Sequence, residues 1–78
     1  MEFKIVNENR AGYLKDVTAV FGALKVDITY FQSSTDRRGV ISTVVVKTEP
    51  VPKSKIEKIL VNLKKIPGTK EISHKLNR

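Results

Sequence analysis

The chain has no cysteine and no tryptophan, one histidine and three prolines among 78 residues, and each shortage closes off a class of function. Without cysteine there is no disulfide staple, no thiolate metal site and no thiol nucleophile. His74 alone cannot build a metal cluster, and no spacing ties it to a serine and a carboxylate for nucleophilic catalysis. No apolar run approaches the roughly 20 residues of a membrane-spanning helix. The opening Met1-Glu2-Phe3-Lys4 lacks the basic start and long apolar core of a secretory leader, so the cytoplasm is the expected compartment. The sequence therefore does not read as an enzyme, and it implies no cofactor and no metal.

What remains is a small amphipathic chain, read as one domain over residues 1–78. Folding at this size buries only about 60–65% of the surface that the unfolded chain exposes. With no disulfide or metal to compensate, further burial has to come from oligomerisation. The net charge is +7, and it is unevenly spread. Residues 49–78 hold eight basic side chains against three acidic ones, among them Lys53, Lys55, Lys58, Lys64, Lys65, Lys70 and Lys75. Such a face either meets an anionic partner or keeps a small domain soluble, and lysines scattered around a helix fit the second.

Hydrophobic periodicity orders the elements. Phe3, Ile5 and their neighbours up to Asn7 read as a strand, followed by the polar turn Asn9–Gly12. Tyr13, Leu14, Val17, Val20, Phe21 and Leu24 recur at helical spacing, with Asn9 as the expected cap. Val26 to Ser34 is β-prone, with Val26, Ile28 and Tyr30 on one face and Asp27, Thr29 and Phe31 on the other. Asp36-Arg37-Arg38-Gly39 is a hairpin turn, and Val40 to Lys47 is the partner strand, whose Val44-Val45-Val46 suggests burial on both faces. Pro52 or Lys53 opens a second helix with the stripe Ile56, Ile59, Leu60 and Leu63. Ile66-Pro67-Gly68 ends it, and Lys70 to Leu76 is the last strand.

The order βαββαβ defines an α+β, ferredoxin-like fold: a four-stranded antiparallel sheet with two helices on one face. The other face is expected to be open and lined by Val6, Phe31 and some of the third-strand valines. Base stacking needs aromatics on the central strands, and Arg38-Gly39-Val40-Ile41-Ser42-Thr43-Val44 has none, which argues against an RNA-recognition module. The turn before the first helix is more informative. A glycine beside free helix-start amides lets a small anionic or zwitterionic ligand approach closely.

Asn9-Arg10-Ala11-Gly12-Tyr13-Leu14, with Asp16-Val17, Phe21, Leu24 and Val26-Asp27-Ile28, resembles the signature of the ACT domain family, usually written Asn/Asp-Arg-Pro-Gly-Leu. Ile66-Pro67-Gly68-Thr69 is similar to the turn found in ACT domains of D-3-phosphoglycerate dehydrogenases and RelA/SpoT enzymes, and Tyr30-Phe31-Gln32-Ser33-Ser34 resembles the second strand of the dehydrogenase group. The resemblance implies a regulatory domain that binds an amino acid or similar metabolite, pairs side by side into one continuous sheet and modulates a partner enzyme or fused catalytic domain. Carried over by position, it implicates Asn7, Asn9, Ala11, Gly12, Tyr13, Leu14, Asp27 and Ile28 in ligand binding. Ala11 replaces the usual proline, and Asn7 and Asp27 replace the histidine and asparagine of serine-sensing domains, so serine is not the implied ligand. Two alternatives belong to other classes: a ligand-free dimerisation module, and a basic nucleic-acid-binding domain.

Overall fold

The computed structural model describes residues 1–76. Six elements follow in the order β1 (Glu2–Glu8), α1 (Tyr13–Ala23), β2 (Ile28–Thr35), β3 (Ile41–Thr48), α2 (Lys53–Lys65) and β4 (Thr69–Lys75). The strands form one sheet in the order β2-β3-β1-β4, and every neighbouring pair is antiparallel. This is the ferredoxin-like arrangement expected from the periodicity.

Alternation along the central strands decides which face is covered. Phe3, Ile5 and Asn7 of β1 and Ser42, Val44, Val46 and Thr48 of β3 point to the buried side. Tyr13, Val17 and Phe21 recur every fourth residue of α1 and close over them. Ile59 and Leu63 do the same from α2, with Ile56 and Leu60 packed at their flanks. Phe3 and Phe21 meet edge to face, ring centroids 5.4 Å apart, which places an aromatic pair in the core. Pro52 begins α2 at φ −60°, where its missing amide hydrogen has no helical acceptor to lose. Lys64 and Lys65 occupy the last turn of α2, where the helix dipole favours cations.

Three local expectations are corrected. β2 carries a register shift between Ile28 and Tyr30, so that Ile28 faces Thr48 and Tyr30 faces Lys47. The extra residue reverses the side-chain phase: Ile28 and Phe31 both pack against the core, and Tyr30 stands on the open face. Phe31 therefore does not line the open face. In β3 the inward residues are fully buried while Ile41, Thr43, Val45 and Lys47 are half-buried, because only one face of the sheet is covered by helices. Finally, Asn9 does not cap α1. Gly12 holds the cap position at φ +84°, and Asn9 is used elsewhere.

The hairpin between β2 and β3 is closed as the sequence indicates. Gly39 takes φ +70°, its amide donates to the Asp36 carbonyl, and the Val40 amide donates to Asp36 Oδ1 at 2.9 Å.

Candidate functional site

Cross-strand register makes the helix-facing side of the sheet change character from one end to the other. One row is Phe3, Val46 and Phe31; the next is Ile5, Val44 and Ser33; the last is Asn7, Ser42 and Thr35. On the other side of Asn7 the row continues into Thr69 of β4. The apolar core thus ends in a polar layer, directly beneath the start of α1. A cleft of about 280 Å³ opens there, lined by Asn7, Ser33, Thr35 and Ser42 of the sheet, by Asn9 and Arg10 of the turn, and by Gly12, Tyr13, Leu14 and Lys15. Its volume lies just below the roughly 300 Å³ at which sites for drug-sized ligands begin, so it suits a smaller metabolite.

Two anchors hold the turn. The Asn9 amide donates to the Val40 carbonyl at 2.8 Å, and its Nδ2 donates to the Gly39 carbonyl at 2.9 Å, tying the turn to the β2–β3 hairpin. Arg10 ties it to the opposite side: Nε donates to the Pro67 carbonyl at 2.7 Å, Nη1 to the Ala11 carbonyl at 3.1 Å, and Nη2 to Asp16 Oδ2 at 2.8 Å. Its guanidinium also lies 5.3 Å from the centre of the Tyr13 ring. All three guanidinium nitrogens have acceptors, so Arg10 positions the cleft wall instead of offering a free cation. Gly68 passes beneath at φ +98°, and a Cβ there would approach Arg10 Nε and Glu8 to within 3.7 Å.

Residues that line the cleft carry donors without acceptors. Asn7 is 1% exposed, and its Nδ2 has no hydrogen-bond partner among the described residues. Ser42 already donates to the Ser34 carbonyl, and Thr69 to the Leu63 carbonyl, so neither hydroxyl proton is spent on Asn7. At the helix start, Tyr13 and Asp16 amides donate to the Arg10 and Gly12 carbonyls, while those of Leu14 and Lys15 have no acceptor among the described residues. A buried unpaired amide costs about 1–3 kcal/mol. Two wider depressions, about 370 Å³ beside Lys4 and Glu71 and about 440 Å³ along α2 beside Glu57 and Val61, contain no such atom.

The Tyr13 hydroxyl bonds Thr69 Oγ1, which in turn donates to the Leu63 carbonyl, so the phenol proton points toward Thr69. Burial pushes the Tyr13 pKa above its ordinary value of 10.0, with the Thr69 hydrogen bond and the Arg10 charge acting in the opposite direction. The folded state then holds this proton more tightly than the unfolded one. Its contribution to stability is complete below the unfolded pKa near 10 and is lost as pH rises through the higher folded pKa. Tyr13→Phe is expected to cost about 0.5–1.5 kcal/mol at neutral pH and to make the loss of stability above about pH 10 shallower than in the wild type. Urea unfolding at about pH 8 and about pH 10.5 checks both parts, and parallel alkaline slopes would refute the linkage.

Of the residues singled out from sequence, Asn7, Asn9, Gly12, Tyr13 and Leu14 come together on the cleft. Ala11 sits in the turn, its carbonyl accepting from Arg10. Asp27 lies at the far end of the sheet in a separate depression with Lys25 and Lys55, and Ile28 at the start of β2 packs on the core. Sequence reasoning missed Ser33, Thr35 and Ser42. Their signal was present as polar residues continuing the inward phase of Phe31 and of Val46–Val44, but the β2 bulge hid that phase. Among the described residues, no three His, Asp or Glu side chains cluster as a metal site, and no helix is long and apolar enough to cross a membrane.

A family model described as ACT domain matches residues 2–65. The chain belongs to the ACT domain family. Solved structures agree on the fold. The ACT domain from GTP pyrophosphokinase of Chlorobium tepidum superposes with a TM-score of 0.78 at 18% identity, over 92% of this chain and 91% of that one. The small subunit of acetolactate synthase from Thermotoga maritima gives 0.76 at 17% identity, over 92% of this chain but 44% of that one. A homoserine dehydrogenase from Thiobacillus denitrificans gives 0.74 at 10% identity, and there the match covers 92% of this chain and 16% of the other. Among curated proteins nothing matches. This ACT domain thus corresponds to one complete domain of the first relative and to a fraction of the two enzymes.

Proposed function

We propose that this ACT domain is a non-catalytic regulatory module that binds an amino acid or similar metabolite in the cleft at the start of α1, acts as a homo-oligomer, and modulates a partner enzyme or fused catalytic domain. One observation carries the reading: Asn7, whose buried Nδ2 is unpaired, lines the same cleft as Leu14 and Lys15, whose amides have no acceptor among the described residues. A carboxylate placed there would accept from all three, at the positive end of an 11-residue helix.

The pairing has a physical candidate as well. β2 and β4 are the edges of the sheet. β4 is guarded by Lys70, Glu71, His74 and Lys75, whereas β2, from Ile28 to Thr35, contains no charged residue. An uncharged edge of this length favours antiparallel addition of a second β2 across a two-fold axis. The end of β2 that lines the cleft would then lie beside the start of β2 in the second copy. Asp27 and Ile28, remote from the cleft within one chain, would approach it from the neighbour, with Asp27 placed to accept from an ammonium.

The test is a thermal-shift screen of the twenty amino acids with light scattering on the same samples. A ligand that binds only the folded state stabilises it by RT ln(1 + [L]/Kd), about 2.7 kcal/mol at a hundredfold excess over Kd. A shift from one or a few amino acids on an oligomer supports the proposal. Silence from all of them on a stable oligomer favours the ligand-free dimerisation module instead. Gly12→Asp is the control: the backbone at φ +84° disfavours a side chain by about 1 kcal/mol, and the new carboxylate competes for the helix-start amides. The variant should stay folded and lose the shift, and a retained shift would move the site elsewhere.

A further inference from the structure

We infer that the cleft selects a ligand with a net negative charge, an acidic amino acid over its neutral amide, and that Lys15 is the residue that reads the second carboxylate. The inference rests on the regulatory reading above and goes further in naming the ligand class.

Lys15 lines the cleft from the first turn of α1. A cation there opposes the helix dipole and weakens the helix. α2 carries cations at both ends, Lys53 and Lys55 in its first turn and Lys64 and Lys65 in its last, so a first-turn lysine gains its meaning at α1 only from the cleft it lines. Helix stability therefore does not account for Lys15. Neither does ion pairing: the carboxylate beside it in sequence, Asp16, is held by Arg10 at 2.8 Å, and Lys15 has no carboxylate within 4.0 Å among the described residues.

The rest of the lining makes the imbalance specific. Within one chain no acidic side chain lines the cleft, and the Asp27 that pairing would bring from a second copy is taken up by the ligand ammonium. The Arg10 charge is neutralised by Asp16, so within one chain Lys15 is the one lining residue whose charge is uncompensated. Asn7 Nδ2 and the Leu14 and Lys15 amides are the unpaired donors of residues that share this cleft. They are enough for one carboxylate. A ligand with a second carboxylate satisfies Lys15 as well, whereas an amide in that place offers it only a dipole.

Calorimetric titration of the full chain at low ionic strength with aspartate, asparagine, glutamate and glutamine tests this. The acid of each pair should bind about threefold to fivefold more tightly than its amide, the size expected of one partly exposed ion pair. Added salt at about 0.5 M should shrink the preference. Lys15→Gln should equalise the members of each pair while leaving the weaker affinity in place, and Lys15→Arg should keep the preference. An amide that binds as tightly as its acid overturns the inference, as does a preference that survives Lys15→Gln. If these four fail to bind while another amino acid shifts stability, the charge reading alone fails. If all twenty are silent, the regulatory reading fails with it.

Discussion

Asn7→Leu is expected to raise the stability of the ligand-free protein and, in the same variant, to abolish stabilisation by ligand. The side chain is 1% exposed with its Nδ2 unpaired, a situation that costs about 1–3 kcal/mol. Leucine has nearly the same shape and no polar atom to leave unsatisfied. The hydroxyl protons of Ser42 and Thr69 have other acceptors, so removing the amide strands neither donor. A gain of about 1 kcal/mol corresponds to roughly 4–8 °C in Tm for a domain of this size. Binding moves the other way because the cleft loses its most buried donor. Melting curves with and without amino acid measure both signs at once. A lower Tm in the free variant would mean that the Asn7 amide has a structural partner.

Phe21→Ala should have the largest effect on folding itself. Phe21 is fully buried and meets Phe3 edge to face between α1 and the central strand. Truncation of a buried phenylalanine costs about 3–5 kcal/mol through lost burial and the cavity left behind. Small proteins hold only about 0.05–0.15 kcal/mol per residue in total, so the variant would spend a large part of the stability of a 78-residue chain. Denaturant unfolding followed by circular dichroism should show a midpoint far below that of the wild type, or no folded baseline. A loss under about 1 kcal/mol would place the centre of the core elsewhere. Phe3→Ala and the double variant complete a cycle, and an aromatic pair of this geometry should show coupling of about 0.5–1.5 kcal/mol.

Element order was legible because periodicity is a local property. Tyr13, Val17 and Phe21, or Ile59 and Leu63, declare one helical face without reference to the rest of the chain. Glycine and proline marked the ends correctly at Gly39, Pro52 and Gly68 for the same reason. The β2 phase was not legible. It depends on where Ile28 and Tyr30 pair with Thr48 and Lys47, and one inserted residue sent Phe31 from the predicted open face to the core. Asn9 was misread by the same kind of limit. A capping residue looks the same in sequence as one that reaches a carbonyl 30 positions away. At the candidate site, the turn residues were readable as a motif, but the polar row Asn7, Ser42 and Thr35 exists only once three strands are in register. Arg10 likewise revealed its role only through Pro67, 57 positions away and in a different motif.

Sheet topology also sets the order in which this molecule can be assembled as it is synthesised. β1 emerges first yet occupies an interior position, with Glu2 facing Lys75 and Phe3 facing His74 near the other end of the chain. Only the β2–β3 hairpin can close from neighbouring residues, and pairings of such long separation are slow to form. Until Pro67, Gly68 and β4 leave the ribosome, one edge of β1 is bare, Glu8 has no Gly68 carbonyl to donate to, and both Arg10 Nε and the Tyr13 hydroxyl lack their partners. Nascent chains stalled before Pro67 should therefore be the species that chaperones hold, because the segment that completes the sheet also anchors Arg10 and Tyr13 on the wall of the cleft.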